Sequence, residues 1–211
     1  MVSVLITAGP TQEAIDPIRY ITNSSSGKQG YAIAEHMNNI GWQVNLVSGP
    51  VTIHNHNIPN IFYIKSCQEM LQTCTKLLPV DIAIFTAAVT DWSPIYSSKK
   101  IKKHNITNIK VRYNPDIVHC ISTHKKRPKL VIGFSLESEN IIEHAKTKLI
   151  SKQCDWIISN SMTINNEQLM GNDYNQITIV TKDNYQEFPI MSKKDVARLI
   201  TEQIINFLSP K

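Results

Sequence analysis

The sequence is poor in cysteine and glycine and contains no long apolar run. Four cysteines and seven glycines are spread over 211 residues, and no two cysteines form a Cys-x-x-Cys pair. A disulfide framework is therefore not indicated, and we expect reduced thiols in a cytoplasmic protein. No stretch reaches the roughly 18 consecutive apolar residues of a membrane-spanning helix. The first residues lack the basic, apolar and small-residue zones of a signal peptide.

Several catalytic and cofactor-binding motifs are also missing. The first predicted strand is not followed by a G-x-G-x-x-G dinucleotide fingerprint, and no G-x-x-x-x-G-K-[ST] phosphate loop occurs, which excludes a P-loop kinase. No serine, histidine and aspartate form a recognisable nucleophile-elbow pattern. His54 and His56 flank Asn55, but this pair alone is a weak metal site and is better interpreted as surface histidine.

The chain carries a modest positive charge. Its formal net charge is +5, and part of it comes from two local groups, Lys99–Lys103 and Lys125–Arg127. Nucleic-acid-binding proteins present a larger patch of one sign with interleaved aromatic side chains, so no nucleic-acid partner is expected. Small anionic substrates account for this charge at least as well.

Apolar runs alternate with helical patterns along most of the chain. The apolar runs are typical of strands at 3–8, 43–48, 61–65, 81–89, 129–135 and 155–159. The helical patterns occupy 28–40, 66–78, 116–124 and 139–152. Continuously apolar strands are covered on both faces. The alternation therefore predicts an α/β fold with a doubly wound, mostly parallel, Rossmann-like sheet.

The last part of the chain follows a different pattern. Residues 176–180 and 186–190 predict a β-hairpin, and a helix is predicted from Ser192 to about Leu208, with Ser192 as its N-cap. No repeat and no linker rich in glycine or serine is present, so we predict a single domain over 1–211. Two polar segments, 92–113 and 161–174, interrupt the regular pattern. Long irregular segments of this kind are usually functional loops or lids.

The most informative stretch follows the first predicted strand. A long polar loop leads from Gly9-Pro10 to Ser24-Ser25-Ser26-Gly27, where a helix begins that ends before Gly41. Free backbone N–H groups at a helix start favour anions, and small residues let a phosphate approach closely. The stretch therefore predicts a phosphate site of a kind other than the dinucleotide fingerprint.

Other polar residues allow two interpretations each. Asp91 follows Ala87-Ala88-Val89-Thr90 at a strand end, where α/β sheets bind ligands, but an ordinary turn would also explain it. Asn114-Pro115-Asp116-Ile117 is equally typical of a turn before a helix. Lys148 and Lys152 share one helix face and, like Lys100 in its lysine run, are compatible with solvated side chains. None of these features decides a function alone.

Taken together, the segments resemble the phosphopantothenate–cysteine ligase (phosphopantothenoylcysteine synthetase) family of coenzyme A biosynthesis. The resemblance covers nearly the whole chain, and the first loop is its most specific part. The matching segments are Ile6–Thr11, Asp16–Asn23, Ser25–Gly30, Ala87–Asp91, Lys100–Lys103, Asn114–Ile117, Gly133-Phe134, Lys148 with Lys152, and Ser159-Asn160. Their coincidence favours the functional interpretation of Asp91, Lys100 and Asn114–Ile117.

The resemblance implies a ligation in two steps. The carboxylate of 4′-phosphopantothenate attacks the α-phosphate of a nucleoside triphosphate, typically CTP, and gives an acyl-cytidylate and pyrophosphate. The amine of L-cysteine then attacks the acyl carbonyl and releases CMP. Mg²⁺ is expected to bind with the triphosphate and to need few protein ligands. With two polyanions in one site, the protein must mainly position them and offset their charge.

The resemblance also implies partners. Many bacterial members are the C-terminal half of a fusion with a flavin-dependent decarboxylase. This sequence begins where the ligase half begins, so it is similar to a stand-alone form, with a separate decarboxylase and no flavin of its own. Family members are dimers whose sites draw on both subunits, so a homodimer is expected. The segment of about 92–113, which we name the flap, would lie near the interface.

Roles for individual residues follow from the resemblance. Asn23 and Lys100 are the predicted catalytic residues: the Asn23 amide would orient the acyl group and donate to the developing oxyanion, and Lys100 would stabilise charge. The predicted substrate-binding residues are Asn23, Ser25, Ser26 and Gly27. The predicted nucleotide-binding residues are Ala87, Ala88, Asp91, Lys100, Asn114, Pro115, Asp116, Ile117, Phe134, Lys148 and Lys152. Phe134 would pack against the base or ribose, and Lys148 and Lys152 would contact phosphates. Which phosphate binds at Ser25–Gly27 stays open.

Three residues depart from the family pattern. Ser24 stands where histidine is frequent, and Trp92 stands where tyrosine is usual. Tyr113 replaces a common lysine, which removes a positive charge near the nucleotide that Arg112 could supply.

Two other functions stay open. One is an NAD(P)-binding oxidoreductase. Two absences argue against it: the glycine fingerprint is missing, and the end of the second predicted strand, Leu46–Gly49, has no acidic residue. The other is a catalytically degenerate nucleotide-binding regulatory protein. The retention of Asn23, Asp91 and Lys100 argues against this second alternative.

Overall fold

The structure is a computed structural model that describes residues 1–53, 57–102, 108–137, 139–161, 163–164, 167–168 and 172–209. Its helices are α1 (Lys28–Asn39), α2 (Cys67–Lys76), α3 (Ile117–Ser122), α4 (Ile141–Lys152) and α5 (Lys193–Leu208). Its strands are β1 (Ser3–Ala8), β2 (Gln12–Ala14), β3 (Tyr20–Thr22), β4 (Gln43–Ser48), β5 (Asn60–Tyr63), β6 (Ile82–Phe85), β7 (Trp92–Pro94), β8 (Val111–Tyr113), β9 (Leu130–Glu137), β10 (Trp156–Ser161), β11 (Thr163–Ile164), β12 (Glu167–Gln168), β13 (Tyr174–Asn175), β14 (Ile177–Thr181), β15 (Tyr185–Glu187) and β16 (Met191–Ser192).

A large sheet organises these elements. Its strand order is β15-β14-β10-β9-β6-β1-β4-β5. The strands from β10 to β5 pair in parallel, and β14 and β15 continue the sheet in antiparallel pairing. The chain leaves β1 toward β4 and β5 and then crosses to β6 on the other side of β1. In sheets whose strand order reverses in this way, a ligand crevice opens at the carboxyl ends of the two strands on either side of the reversal.

Apolar side chains cover both faces of this sheet. Val4 and Ile6 of β1 pack on the face that is covered by α1 and α5, whereas Leu5 packs on the face covered by α2, α3 and α4. All three side chains are fully buried. This two-sided burial is the physical reason for the continuously apolar strands of the sequence. The predicted doubly wound, mostly parallel α/β fold with a C-terminal hairpin and helix is confirmed.

The segment between β1 and α1 is not only the predicted polar loop. It contains the two-stranded antiparallel pair of β2 and β3. The connection turns at Asp16, whose Oδ1 accepts the backbone N–H groups of Ile18 and Arg19, both at 2.9 Å. A short aspartate that bonds to the backbone two and three residues later forms such a turn without any apolar pattern, so the pattern did not reveal the hairpin.

Two other predicted strands differ in extent. The strand predicted over 81–89 ends at Phe85, after which the chain leaves the sheet, with one bridge between Pro10 and Ala88. In the flap, the sequence Ile109-Lys110-Val111 also predicts a short strand, and it overlaps at Val111 with β8, which pairs with β7 at the base of the flap. Lys103 and residues 104–107 of the flap lie outside the described residues, as do His54 and His56 and part of the segment 161–174. Among the described helices, none combines the length and apolarity needed to cross a bilayer.

Candidate functional site

A cavity of about 520 Å³ lies at the carboxyl edge of the sheet, beside the point where the strand order reverses. Its walls come from the start of α1, the segments after β6 and along β9 and β10, and the start of α5. The lining residues are Asn23, Ser24, Ser25, Ser26, Gly27, Lys28, Gln29, Gly30, Thr86, Ala87, Ala88, Val89, Asp91, Phe134, Ser135, Leu136, Asn160, Asn175 and Lys193. The position agrees with the crevice that the sheet topology predicts.

Three glycines from two separate segments of the sequence lie at this edge of the sheet. Gly9 follows β1, and Gly27 precedes α1 with a φ of +73°, a left-handed conformation that glycine adopts without strain. A Cβ on Gly27 would lie 3.2 Å from the backbone nitrogen of Gly9. A Cβ on Gly30 would lie 2.4 Å from Thr86 Oγ1 and 2.6 Å from Ala8 Cβ. The fold therefore builds a glycine-lined strand-to-helix junction from separate segments, which explains the missing contiguous fingerprint.

The Gly30→Ala substitution is expected to destabilise the protein, although alanine favours a helix interior over glycine by about 1 kcal/mol. The added methyl group collides with Ala8 on a buried strand and with Thr86, whose hydroxyl donates to Thr7 O at 2.6 Å. Overpacking of this kind costs about 1–3 kcal/mol or more. We expect a lower Tm in thermal unfolding, by about 2–4 °C for each kcal/mol lost.

Asn39→Ala is the matched control for this substitution, because it also raises helix propensity in α1 but at an exposed position. Its effect on stability is expected to stay within about 0.5 kcal/mol. A Tm for Gly30→Ala equal to or above that of the unmodified protein would show that α1 can move away from the sheet without cost.

The end of the cavity at α1 and α5 is positively charged. Lys28 and Lys193 lie at the starts of these two helices, and Lys28 Nζ contacts Asp173 Oδ1 at 2.6 Å. Burial and the neighbouring charge of Lys28 lower the pKa of Lys193, while Asp173 acts in the opposite direction. Ser26 Oγ accepts the N–H of Lys28 at 3.5 Å, close to the limit for a hydrogen bond. A partly buried ammonium group beside a second lysine at two helix starts is a favourable surrounding for an anion.

Asn23 lies in the cavity wall beside the segment that follows β6. Its Nδ2 donates to the carbonyl oxygen of Ala88 at 3.2 Å, and the N–H of Ala88 donates to Gly9 O at 2.9 Å. The side chain is exposed toward the cavity, and its orientation is set by backbone at the carboxyl ends of two neighbouring strands. An amide held in this way can present a defined donor to a bound carbonyl group.

Asn114 supports the cavity wall from behind. Its Nδ2 donates to the carbonyl oxygen of Thr90 at 2.8 Å, and its Oδ1 accepts from Ser93 Oγ at 2.5 Å. Its backbone N–H donates to Asp91 O at 2.9 Å. Asn114 therefore fixes the segment that carries Asp91, and its amide is already engaged within the protein.

The predicted phosphate-contacting lysines are paired with carboxylates. Lys152 Nζ lies 2.5 Å from Asp116 Oδ2, and Asp116 also caps α3 by accepting the His119 N–H at 3.1 Å. Lys148 Nζ lies 2.5 Å from Glu137 Oε1, at the end of β9. Burial raises the pKa of both carboxyl groups, but the lysine contacts outweigh it and bring each pKa below its ordinary value. Both carboxylates stay ionised at neutral pH and fix the two ammonium groups.

The structure thus brings together only part of the predicted set. The predicted residues that line the cavity are Asn23, Ser25, Ser26, Gly27, Ala87, Ala88, Asp91 and Phe134. Those that lie outside its wall are Lys100, Asn114, Pro115, Asp116, Ile117, Lys148 and Lys152. Sequence reasoning missed Asn175 and Lys193, which the C-terminal part of the chain contributes. The N-cap signal at Ser192 located that helix start, but nothing in the sequence indicated that α5 begins beside α1.

Comparisons with known proteins agree with this architecture. A model of the DNA/pantothenate metabolism flavoprotein C-terminal domain family matches residues 1–208. The chain is 39% identical over 203 residues to the coenzyme A biosynthesis bifunctional protein CoaBC of Borreliella burgdorferi. This match covers 93% of this chain and 50% of that protein. The chain spans about half the length of the curated relatives that it matches.

Two solved structures share the fold. The crystal structure of the C-terminal domain of a CoaBC protein has a TM-score of 0.83 and 37% identity, and the match covers 98% of this chain and 95% of that one. A variant of Cab2 in complex with phosphopantothenate-cysteine has a TM-score of 0.72 at 15% identity, over 97% of this chain and 86% of that chain. At that identity, the second likeness is one of fold alone.

Proposed function

Because the chain belongs to the DNA/pantothenate metabolism flavoprotein C-terminal domain family, we propose that it is a phosphopantothenate–cysteine ligase of coenzyme A biosynthesis that uses CTP. The observation that carries the proposal is the composition of the cavity. Asn23 shares it with a basic end at Lys28 and Lys193 and with Asp91 and Phe134. A carbonyl-directed amide, an anion-binding end and a base-stacking aromatic side chain are the groups that such a ligation needs.

The first proposed step joins the two polyanions. The carboxylate of 4′-phosphopantothenate attacks the α-phosphate of CTP, an acyl-phosphate bond forms, and pyrophosphate leaves. The lysines of the flap and of α4, with Lys28 and Lys193, would offset the negative charge that both substrates bring. The glycine-lined start of α1 would bind a phosphate of one of the two substrates. Phe134 would pack against the cytosine or the ribose.

The second proposed step transfers the acyl group. The amine of L-cysteine attacks the acyl carbonyl, negative charge develops on its oxygen, and CMP leaves with the electrons of the acyl-phosphate bond. The Asn23 amide would donate to that oxygen, while Ala88 O holds its orientation. Such a donor matters most where charge develops during the reaction.

Mg²⁺ is proposed to enter with the triphosphate. In the described part of the chain, no group of three or more His, Cys, Asp or Glu side chains is arranged around a common metal position. Mg²⁺ commonly binds through substrate phosphates with only one or two carboxylates, and the cavity-lining Asp91 is of that type. When bound, the ion would neutralise phosphate charge.

A flavin is not part of the proposal for this domain, and the decarboxylase that would act on its product stays a prediction.

A homodimer is proposed from the exposed apolar side chains of the flap and of the β2–β3 hairpin. Ile18 and Tyr113 are 61% and 91% exposed, and further apolar side chains of the same segments are exposed as well. They are Tyr20, Ile95, Tyr96, Ile109 and Val111. Large exposed apolar groups that are concentrated in one part of a surface are typical of protein interfaces. Sedimentation velocity of the purified protein would test this state directly.

A cytoplasmic location is proposed from the cysteines. All four carry free thiols, and burial raises the pKa of Cys67 and Cys74 to about 12. Thiols in this state suit a reducing compartment.

Replacing both Lys148 and Lys152 with glutamine is expected to raise the KM for CTP by about 100-fold or more, because each of the two lysines would contribute one charge-assisted contact of about 1.5 kcal/mol or more to a phosphate. The change in KM should shrink as ionic strength rises. Lys146→Gln is the control, since it removes one positive charge from an exposed position of the same helix. Equal KM values in both variants would remove Lys148 and Lys152 from the nucleotide site.

Pyrophosphate release tests the proposed function itself. The purified protein is given Mg²⁺ and 4′-phosphopantothenate with CTP or with ATP, in the presence and absence of L-cysteine. We expect release with CTP that continues over many turnovers only when cysteine is present. No release with either nucleotide, from protein shown to be folded, would favour the alternative of a catalytically degenerate nucleotide-binding regulatory protein.

A further inference from the structure

The backbone beside Lys100 is held by a turn from a distant part of the chain. The N–H of Ile101 donates to Asp16 Oδ2 at 3.2 Å, and the carbonyl oxygen of Ile101 accepts from Arg19 Nη2 at 2.9 Å. Both backbone hydrogen-bonding groups of one flap residue are therefore bound by two side chains of the β2–β3 turn. Lys100 and Lys102 are its two neighbours in the sequence.

Asp16 is the centre of this contact. Its side chain is completely buried, and in addition to Ile101 it accepts from the backbone N–H groups of Ile18 and Arg19 and from the guanidinium of Arg19 at 3.1 and 2.5 Å. The hydrogen bond with Arg19 is the main cause that holds the pKa of Asp16 far below its ordinary value. The backbone N–H donors lower this pKa further, whereas burial raises it. The group is a permanent carboxylate. If the flap moved away, the N–H of Ile101 would lose Asp16 as its acceptor and the carbonyl oxygen of Ile101 would lose Arg19 as its donor, while the bonds within the turn would stay.

The rest of this part of the flap has little order of its own. Residues 98–102 form neither helix nor strand, and the side chains of Lys99, Lys100 and Lys102 are exposed. A second contact joins the same two segments, because the N–H of Ser97 donates to Ile15 O at 3.0 Å. The position from which the Lys100 side chain leaves the backbone is thus set by the turn that Asp16 forms.

We propose that Asp16 is a positioning residue for Lys100: it fixes the flap backbone at Ile101 so that the lysine ammonium group is presented at a defined place to the charge that develops on the phosphates. The proposal rests on the proposed function for its catalytic consequence. Its physical content, the attachment of the flap at Ile101, is independent of that function. A lysine on an unattached loop would be present but badly placed, and small misplacements of catalytic groups are costly.

Asp16→Asn is the variant that separates attachment from folding. An asparagine at this position keeps an acceptor for the N–H groups of Ile18 and Arg19, and asparagine is common in such turns. Its amide NH₂, however, faces the donors of Arg19 and Ile101 and cannot accept from them. We expect kcat to fall by about 10- to 100-fold with CTP and phosphopantothenate. We also expect the Ile101 amide hydrogen to exchange about 10-fold faster or more, because its opening no longer breaks a bond.

The matched control is Asp155→Asn. Asp155 also pairs with an arginine, Arg127, at 2.9 and 2.8 Å, and accepts a backbone N–H, that of Val131, at 2.7 Å. It precedes β10, at the edge of the sheet opposite the cavity. Its substitution is expected to lower stability to a similar degree, with kcat and the exchange of Ile101 unchanged.

A double-mutant cycle with Lys100→Gln tests whether Asp16 acts through that lysine. In the Lys100→Gln protein, Asp16→Asn is expected to lower kcat by less than about 2-fold, since the group it positions is gone. An equal loss in both backgrounds would overturn the positioning role. Unchanged exchange at Ile101 in Asp16→Asn would overturn the attachment, whether or not the protein is a ligase. If the protein shows no ligase activity but the Ile101 amide hydrogen exchanges faster in Asp16→Asn, only the proposed function is overturned.

If Asp16→Asn does not fold, Arg19→Lys gives the same test. A lysine keeps the positive charge beside Asp16, but its single ammonium group cannot make the forked contact with both Asp16 and the Ile101 carbonyl. Faster exchange at Ile101, with a kcat loss that disappears in the Lys100→Gln background, is the expected result. Exchange at the rate of the unmodified protein would contradict the proposal.

Discussion

Asn23→Ala is expected to lower the rate of phosphopantothenoylcysteine formation by about 100-fold or more, the usual effect of removing one donor from an oxyanion site. The amide of Asn23 is oriented by Ala88 O at 3.2 Å and lies in the cavity wall, so its loss removes a positioned N–H at little cost to the fold. The negative oxygen develops when cysteine attacks the acyl carbonyl. The variant should therefore accumulate acyl-cytidylate, detected by mass spectrometry of quenched reactions.

Asn38→Ala is the control for this prediction. Asn38 also donates through Nδ2 to a backbone carbonyl, that of Asn57 at 2.9 Å, but from the far end of α1. Its turnover should equal that of the unmodified protein. Near-native turnover in Asn23→Ala would remove Asn23 from the reaction, and a loss of pyrophosphate release without accumulation of acyl-cytidylate would assign it to the first step instead.

The main features of the fold could be read from the sequence because burial on two faces leaves a strong local signal. β1 and β4 coincide with apolar runs at 3–8 and 43–48, and α1 and α5 begin where small or capping residues predict. The anion site at the start of α1 was predicted by the same kind of local rule, since Gly27 and the serines before it are contiguous in the sequence, and its role as an anion site stays a prediction. Hydrophobic periodicity and helix capping depend on residues that are close in the sequence, so the elements that they define can be predicted from the sequence.

The features that sequence reasoning missed depend on contacts between distant segments. Glu13 in β2 is buried and accepts from Cys67 N at 2.8 Å, and its Oε2 lies 2.7 Å from Ser93 Oγ. It therefore joins the hairpin to the start of α2 and to the base of the flap. A lone glutamate in a polar segment gives no sign of this. The glycine junction was equally hidden, because Gly9 and Gly27 are separated by the β2–β3 hairpin in the sequence and are neighbours only in the folded structure.

The site residues show the same division. Asp116 is the helix cap that one of the two sequence interpretations predicted, and it also contacts Lys152, whereas its predicted role in nucleotide binding stays a prediction. The contribution of Lys193 required knowledge that α5 packs against α1, which no local pattern contains. The predicted residues that do line the cavity come mostly from two segments, 23–27 and 87–91, and their functional roles stay predictions.

Lys100→Gln is expected to lower kcat by about 100-fold or more, in the range found when one group that stabilises transition-state charge is removed. Lys100 is exposed on the flap, beside the residue whose backbone Asp16 and Arg19 hold. A neutral amide of similar length keeps the fold and removes only the positive charge. Because that charge is proposed to act on the phosphates, the burst of pyrophosphate in a single turnover without cysteine should slow as much as overall turnover.

Lys99→Gln and Lys102→Gln are the matched controls, since both remove one charge from the same exposed segment. Each is expected to change kcat by less than about 3-fold and to weaken substrate binding only through the general field, an effect that salt screens. A loss shared equally by the three variants would mean that the flap acts through its total charge. A loss of kcat that is confined to Lys100→Gln and does not depend on salt is expected if the Asp16 turn holds this lysine at one place. The reason is that salt screens a positioned contact far less than a diffuse charge.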